Sequence, residues 1–181
     1  MNAFEDIIAQ YLESEGYWVK QSVKVEITKE DKREMGLPSM PRPEIDIVAL
    51  NMKKNELILV EVKSYLDSPG VWYEAVAGKD KDYYNKRYKL FNDYKYRKIV
   101  TERLFEQYLV QGLINKRTKI NYALAAGKIY SGAQPLLEKY FSGNGWLLIL
   151  PSKIKQKIRE LSDRGWEDNI ATMMAKLLLR D

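Results

Sequence analysis

The fold is decided by residues 43–63, which read PEIDIVALNMKKNELILVEVK. Two apolar runs, Ile45 to Leu50 and Leu57 to Val62, are joined by a short polar stretch that is typical of a turn. This pattern predicts a β-hairpin. Because the apolar runs are nearly continuous, we expect both faces of the hairpin to be covered by other elements.

Three charged residues interrupt or end these apolar runs. Asp46 lies in the first run and Glu61 in the second, while Lys63 follows Glu61 by two residues and therefore shares its side of the strand. A turn centred near Lys53 places Asp46 opposite Val60 or Glu61. Charges in apolar strands are unfavourable by several kcal/mol unless they are paired or bind a cation. The pattern therefore indicates either a site for Mg²⁺ or Mn²⁺ or a buried ion pair within a mixed sheet.

The remaining sequence predicts one α/β domain over residues 1–181. We expect the following elements around the hairpin: a helix over 4–15 stopped by Gly16, a strand over 17–27, a loop over 28–43, a helical region over 71–112 divided near Gly78 and near 95–98, a strand over 122–129, a helix over 133–142, a strand over 146–150, and helices over 154–161 and 170–179.

Composition limits the chemistry that this chain can perform. The 181 residues are 45% hydrophobic, as in a globular domain, and include no Cys and no His. Thiolate metal sites, iron–sulfur clusters and catalysis by imidazole are thereby excluded. The acidic start of the chain and the lack of a long apolar run predict a cytoplasmic protein without a membrane segment.

The net charge of +5 is concentrated in residues 79–98, KDKDYYNKRYKLFNDYKYRK, since the other 161 residues sum to zero. Basic side chains interleaved with tyrosines are typical of nucleic-acid binding. The alternative is a solvated amphipathic helix in which Tyr84, Tyr88 and Phe91 pack inward. The predicted nucleic-acid-binding residues are Lys79, Lys81, Lys86, Arg87, Lys89, Lys95, Arg97 and Lys98.

Pro43-x-x-Asp46 followed by Glu61-x-Lys63 resembles the PD-(D/E)xK nuclease superfamily. The resemblance implies a restriction-endonuclease-like core of order α-β-β-β-α-β over about residues 1–130, with a mixed central sheet flanked by helices and a helical C-terminal extension over 131–181. It implies Asp46 and Glu61 as metal ligands and Lys63 as a catalytic lysine. Glu5, followed by apolar helix positions and Gly16-Tyr17, resembles an additional catalytic glutamate of several members. Its alternative role is that of an acid favoured by the helix dipole.

The sequence departs from the family in two places. The proline stands three residues before Asp46 instead of next to it, and no glutamine follows Lys63 before Gln107, so the RecB-like subgroup pattern is missing. The resemblance implies an Mg²⁺- or Mn²⁺-dependent endonuclease that hydrolyses phosphodiester bonds, with DNA as the expected substrate and a homodimer as a possible assembly. The alternatives are a nucleic-acid-binding module of the same fold without catalysis, and a protein-interaction domain.

Overall fold

The computed structural model describes residues 3–80, 85–165 and 169–180. The strands are β1 Trp18–Lys24, β2 Glu44–Asn51, β3 Glu56–Lys63, β4 Lys119–Ala126 and β5 Leu147–Ile149. The helices are α1 Ala3–Ser14, α2 Lys29–Glu34, α3 Tyr73–Val76, α4 Lys89–Asn92, α5 Tyr94–Val110, α6 Gln134–Gly143, α7 Pro151–Ser162 and α8 Ile170–Leu179, with a short 3₁₀ turn over 85–87.

The five strands form one mixed sheet in the order β1-β2-β3-β4-β5. β1, β2 and β3 are antiparallel neighbours, whereas β4 and β5 continue the sheet in parallel. The predicted hairpin is confirmed, and Ile47 lies opposite Val60. The protein is therefore an α/β protein with a five-stranded mixed sheet flanked by helices.

Helices cover both faces of the sheet, as the continuous apolar strands predict. The front face, which includes Leu57 and Leu59, packs against α3 to α6. The back face, which includes Ile58 and Val60, packs against α1 and α7. Because both faces are buried, a charged side chain in β2 or β3 is removed from water unless it lies near a strand end.

The first helix follows its predicted pattern. Phe4, Ile8 and Leu12 are buried against the back face of the sheet. Gly16 ends the turn after the helix with a φ of +84°, a conformation that residues with a Cβ rarely adopt. The chain then reverses directly into β1, so α1 lies across the sheet that it precedes.

One predicted loop contains a helix. Residues 28–43 are predicted to be a loop, but Lys29–Glu34 forms α2. Thr28 and Asp31 cap this helix by exchanging hydrogen bonds between side chain and backbone, and Arg103 of α5 also donates to the Asp31 carboxylate at 2.8 and 3.0 Å. The loop prediction was wrong because the Thr-x-x-acid capping pattern of residues 28–31 lies within a cluster of charged residues.

The boundaries of three other elements also differ from the prediction. The predicted break at 95–98 is wrong, because α5 runs through it and begins after Asp93, whose side chain caps the helix by accepting from the N–H of Tyr96. β1 ends at Lys24 instead of residue 27, and β4 begins at Lys119 instead of residue 122.

The C-terminal part of the chain adds to the same sheet. The predicted helices over 133–142, 154–161 and 170–179 are confirmed as α6, α7 and α8, and the predicted strand over 146–150 as β5. Within the described ranges, none of the helices has both the length and the apolar character that a membrane crossing requires.

Candidate active site

Asp46 lies where β2 and β3 separate. The ladder between the two strands extends to the pair Ile47–Val60, beyond which Asp46 and Glu61 would be the next pair. In place of a backbone acceptor, the Asp46 Oδ2 atom accepts a hydrogen bond of 2.7 Å from the N–H of Val62. The Asp46 carboxylate therefore replaces one backbone acceptor of the strand ladder and lies level with Glu61, one of the two positions that the sequence predicts.

The pleat of β1 and β2 is interrupted at this level. Ile45 and Ile47 would share a face in a regular strand, but Ile45 packs on the front face and Ile47 on the back. Opposite Asp46, Ser22 of β1 has a φ of +51°, in the left-handed region. Irregular strands of this kind often redirect a side chain near a functional site. Because of this interruption, the side chain of Asp46 need not follow the regular alternation of β2 side chains between the two faces of the sheet.

Glu61 and Lys63 lie on the front face of β3, continuing the row of Leu57 and Leu59. Their side chains form an ion pair, and each is 17% exposed to solvent. The Lys63 ammonium also lies 5.9 Å from the centre of the Tyr88 ring, within cation–π distance. The lysine is thus held between a carboxylate and an aromatic face, with a small opening to water.

The carboxylates of this site are less acidic than usual. Burial raises the pKa of Asp46, against the effects of Lys63 and the Val62 hydrogen bond. Burial also raises the pKa of Glu61, and the neighbouring Asp46 charge adds to that effect. Although burial alone would lower the pKa of Lys63, the two carboxylates raise it above its usual value. Among the described residues, two carboxylates therefore share one ammonium.

Three tyrosines that the sequence did not assign to this site lie around Lys63 and Glu61. Tyr88 and Tyr96 are buried on the front face, and Tyr65 follows β3 with a φ of +45°. The pKa of Tyr88 is raised by burial, by its hydrogen bond with Tyr65 and by the Glu61 charge, and that of Tyr96 by burial and the same charge. Both phenols therefore remain protonated hydrogen-bond donors at physiological pH.

Two cations of the basic segment lie against these tyrosines. Arg87 donates a hydrogen bond of 3.3 Å to the Tyr65 hydroxyl, and the Lys89 ammonium lies 5.3 Å from the centre of the Tyr96 ring. Tyr88 and Phe91 are buried, as the helical alternative predicts. The segment therefore combines residues of the core with cations beside the site.

The other cations of the segment have different surroundings. Arg97 donates to the carbonyls of Leu90 and Phe91 at 2.9 and 3.3 Å and stacks 4.8 Å from the Trp146 ring, so it holds elements together. Lys98 pairs with Glu102 at 4.0 Å on the surface. Lys79 donates to the Tyr73 hydroxyl at 3.0 Å, and Lys86 and Lys95 are exposed. Lys81 and Tyr84 lie outside the described residues.

Glu5 lies on α1, which packs against the opposite face of the sheet from Glu61 and Lys63. Within residues 3–80, 85–165 and 169–180, no three carboxylates come together as a group that could hold a metal ion. The structure thus brings together Asp46, Glu61 and Lys63 and does not add Glu5 to them as a third ligand. The catalytic role of Glu5 stays a prediction.

Comparison of the chain with family models, with curated proteins and with solved structures finds no match. The arrangement of Asp46, Glu61 and Lys63 in the sheet is therefore the basis on which a function can be inferred. Chemically, it offers two oxygen ligands of raised proton affinity, one ammonium and a partly open front side. These are groups that can bind a hard cation and act on a bound anion.

Proposed function

We propose that this protein is a metal-dependent nuclease that hydrolyses phosphodiester bonds in DNA and that its sheet is a restriction-endonuclease-like core. The observation that carries the proposal is the position of Asp46 and Glu61. They are level with each other on neighbouring strands and partly shielded from water, and among the described residues Lys63 is the cation that opposes the charge of both. A folded protein gains no stability from such an excess of buried charge, whereas a cation site requires it.

The order of the elements supports the fold assignment. α1 precedes three antiparallel strands, the helices α3 to α5 follow, and β4 then returns parallel to β3. Apart from the short helix α2 between β1 and β2, this order agrees with the α-β-β-β-α-β order that the resemblance of the sequence implies. The two carboxylates and the lysine occupy β2 and β3, as the Asp and Glu-x-Lys positions of the motif require.

The donor set fits Mg²⁺ or Mn²⁺. Mg²⁺ prefers carboxylate oxygens and commonly uses one or two of them, keeping its other positions for water and substrate phosphate. Asp46 and Glu61 would hold the ion, with Asp46 fixed through its hydrogen bond from Val62. The bound ion would supply charge stabilisation at the phosphate and a more acidic water.

The protein's own groups then have distinct tasks. Lys63, oriented by Glu61 and the Tyr88 ring, can donate to a phosphate oxygen and stabilise the negative charge that develops during hydrolysis. Arg87 and Lys89, beside Tyr65 and Tyr96, can hold the neighbouring phosphates of the strand. Phosphate contacts of this kind fix the register of the substrate without reading its sequence.

The Glu61–Lys63 ion pair also favours a second candidate function, nucleic-acid binding without hydrolysis. In that case the pair would be a structural element of the sheet, and the basic segment alone would carry function. Such a protein would bind DNA with a steep dependence on salt concentration but would show no metal-dependent turnover.

A cleavage assay distinguishes the two candidates. Wild type, Asp46→Asn and Lys63→Met are incubated with supercoiled plasmid and with linear, branched and single-stranded DNA, in Mg²⁺, in Mn²⁺ and in EDTA. We expect metal-dependent cleavage by wild type and a loss of about 100-fold or more in both variants. Asparagine retains an oxygen that can accept from Val62, so Asp46→Asn removes the charge while the local structure is kept.

Two exposed positions provide matched controls. Asp67→Asn and Lys53→Met make the same chemical changes outside the site, and full activity is expected from both. Equal cleavage by wild type and the two site variants would refute the assignment of the site. Salt-sensitive binding without cleavage under any metal would favour the second candidate.

A further inference from the structure

An exposed aromatic pair lies beyond the ends of the strands that carry the site. Trp72, in the loop after β3, is 38% exposed, and Tyr130, in the loop after β4, is 44% exposed. Their ring centres are 4.7 Å apart with an angle of 39° between the planes. Large aromatic rings that remain in contact with water at the end of a sheet present faces on which another flat group can stack.

The backbone holds this pair in place. Val71 and Ile129 form an isolated parallel bridge, in which the N–H of Val71 donates to Lys128 at 3.0 Å and that of Tyr130 donates to Val71 at 3.0 Å. Gly70 lies so close to this bridge that a Cβ would be 2.7 Å from the backbone of Ile129 and Tyr130. The two rings are therefore carried by paired backbone, which reduces the entropy lost when a ligand binds.

The backbone pairing of β3 with β4 also limits the distance between the aromatic pair and the candidate site. Lys63 lies opposite Ala126, and the N–H of Gly127 donates to the Lys63 carbonyl at 2.8 Å. Tyr130 follows Ala126 by four residues, so extended chain separates them by at most about 14 Å. Stacked nucleotides rise about 3.4 Å each, so this span corresponds to at most about four nucleotides. A strand with one phosphate at Lys63 can thus reach the aromatic pair.

We propose that Trp72 and Tyr130 form a stacking platform for an unpaired base of the DNA strand that is cut at Asp46, Glu61 and Lys63. This inference rests on the proposed nuclease function and names its substrate class, single-stranded or branched DNA. In a duplex both faces of each base are already stacked, whereas an unpaired base can lie on an aromatic ring. Lys128, exposed in the loop that carries Tyr130, supplies a cation for the backbone between the pair and the site.

The test measures binding separately from cleavage. The affinity of a labelled 20-nucleotide oligo(dT) and of a duplex of equal length is measured by fluorescence anisotropy in EDTA for wild type, Trp72→Leu and Tyr130→Leu. Loss of one stacking contact weakens binding by roughly 5- to 100-fold. We expect that loss for oligo(dT) and less than a twofold change for the duplex. Trp72→Phe and Tyr130→Phe keep a ring and should retain most of the affinity.

Trp18 provides the matched control. It is 43% exposed and lies on β1 opposite Leu50, at the other end of the sheet from the site. Trp18→Leu should leave both affinities unchanged. The platform is overturned if wild type does not bind oligo(dT), if neither leucine variant weakens that binding, or if the duplex loses affinity to the same extent.

The two proposals can fail independently. Asp46→Asn should lose cleavage while its oligo(dT) binding still depends on Trp72 and Tyr130, because the platform does not involve the carboxylate. Binding that depends on Trp72 in a protein that cleaves no DNA would refute the nuclease proposal and retain the platform as part of a binding module. If both leucine variants cleave single-stranded DNA as wild type does and bind oligo(dT) with unchanged affinity, the platform alone is refuted.

Discussion

Replacing Asp46 by asparagine should make the protein more stable at neutral pH while it removes activity. Burial raises the pKa of Asp46 and outweighs both the attraction of Lys63 and the hydrogen bond from Val62. The folded state therefore favours the uncharged form of this side chain. Asparagine is uncharged at every pH and keeps an acceptor for Val62, so it should relieve the unfavourable charge without leaving that N–H unpaired.

The size of the gain follows from the partial burial of the site. Stabilising substitutions commonly contribute about 0.5–2 kcal/mol, at the expense of function where the site is functional. Asp46 is only partly buried, so water screens its charge and a gain of about 1 kcal/mol is expected. For a chain of this length, such a gain raises the unfolding temperature by about 2–4 °C.

The pH dependence has a definite sign. Because the pKa of Asp46 is higher in the folded state than its usual value of 3.8, the contribution of Asp46 to stability is most favourable below pH 3.8 and is lost as the pH rises through the folded pKa. The advantage of Asp46→Asn should therefore be small in acid and largest at pH 7 to 8. Urea unfolding followed by circular dichroism at several pH values measures it.

The outcome separates a functional charge from a structural one. Asp67→Asn, at an exposed position, should change the free energy of unfolding by less than about 0.5 kcal/mol at any pH. If Asp46→Asn is instead less stable than wild type at pH 7, the Asp46 charge contributes to the fold. The inference of a cation site from its burial would then be wrong.

Three further predictions concern stability, each measured by urea unfolding. Asp31→Asn should lower the free energy of unfolding by about 1–3 kcal/mol at pH 7, because the carboxylate is buried beside Arg103. Hydrogen bonds from Arg103 hold the Asp31 pKa below its usual value, so the difference between variant and wild type should shrink as the pH falls below about 4. Gly127→Ala should cost about 1–3 kcal/mol, since a Cβ would lie 2.3 Å from the Ser64 carbonyl oxygen. Tyr108→Phe should be neutral or stabilising by about 1 kcal/mol, because the buried hydroxyl has no hydrogen-bond partner within the described residues and burial raises its pKa to about 12. A loss of more than about 1 kcal/mol would show that the hydroxyl contributes to the fold.

Local patterns account for the elements that were predicted well. The apolar runs around a polar turn fixed the hairpin, and helical spacing with Gly16 fixed α1. α2 and the start of α5 were missed because each depends on capping hydrogen bonds, which Thr28 and Asp31 make in α2 and Asp93 makes in α5. Charge runs carry little periodicity, so the capping hydrogen bond is the stronger signal there.

The sequence by itself excluded imidazole and thiolate chemistry, because it has no His and no Cys. It also placed Asp46, Glu61 and Lys63 in one hairpin, because strand alternation and register are local properties. Only the tertiary structure decided what surrounds them. Tyr65 follows β3 in a left-handed backbone conformation, Tyr88 and Tyr96 are buried on the front face, and Arg87 donates a hydrogen bond to Tyr65. Tyr88, Tyr96 and Arg87 are far from Lys63 in sequence, and their convergence on the site depends on how the helices pack on the sheet, which no local pattern encodes.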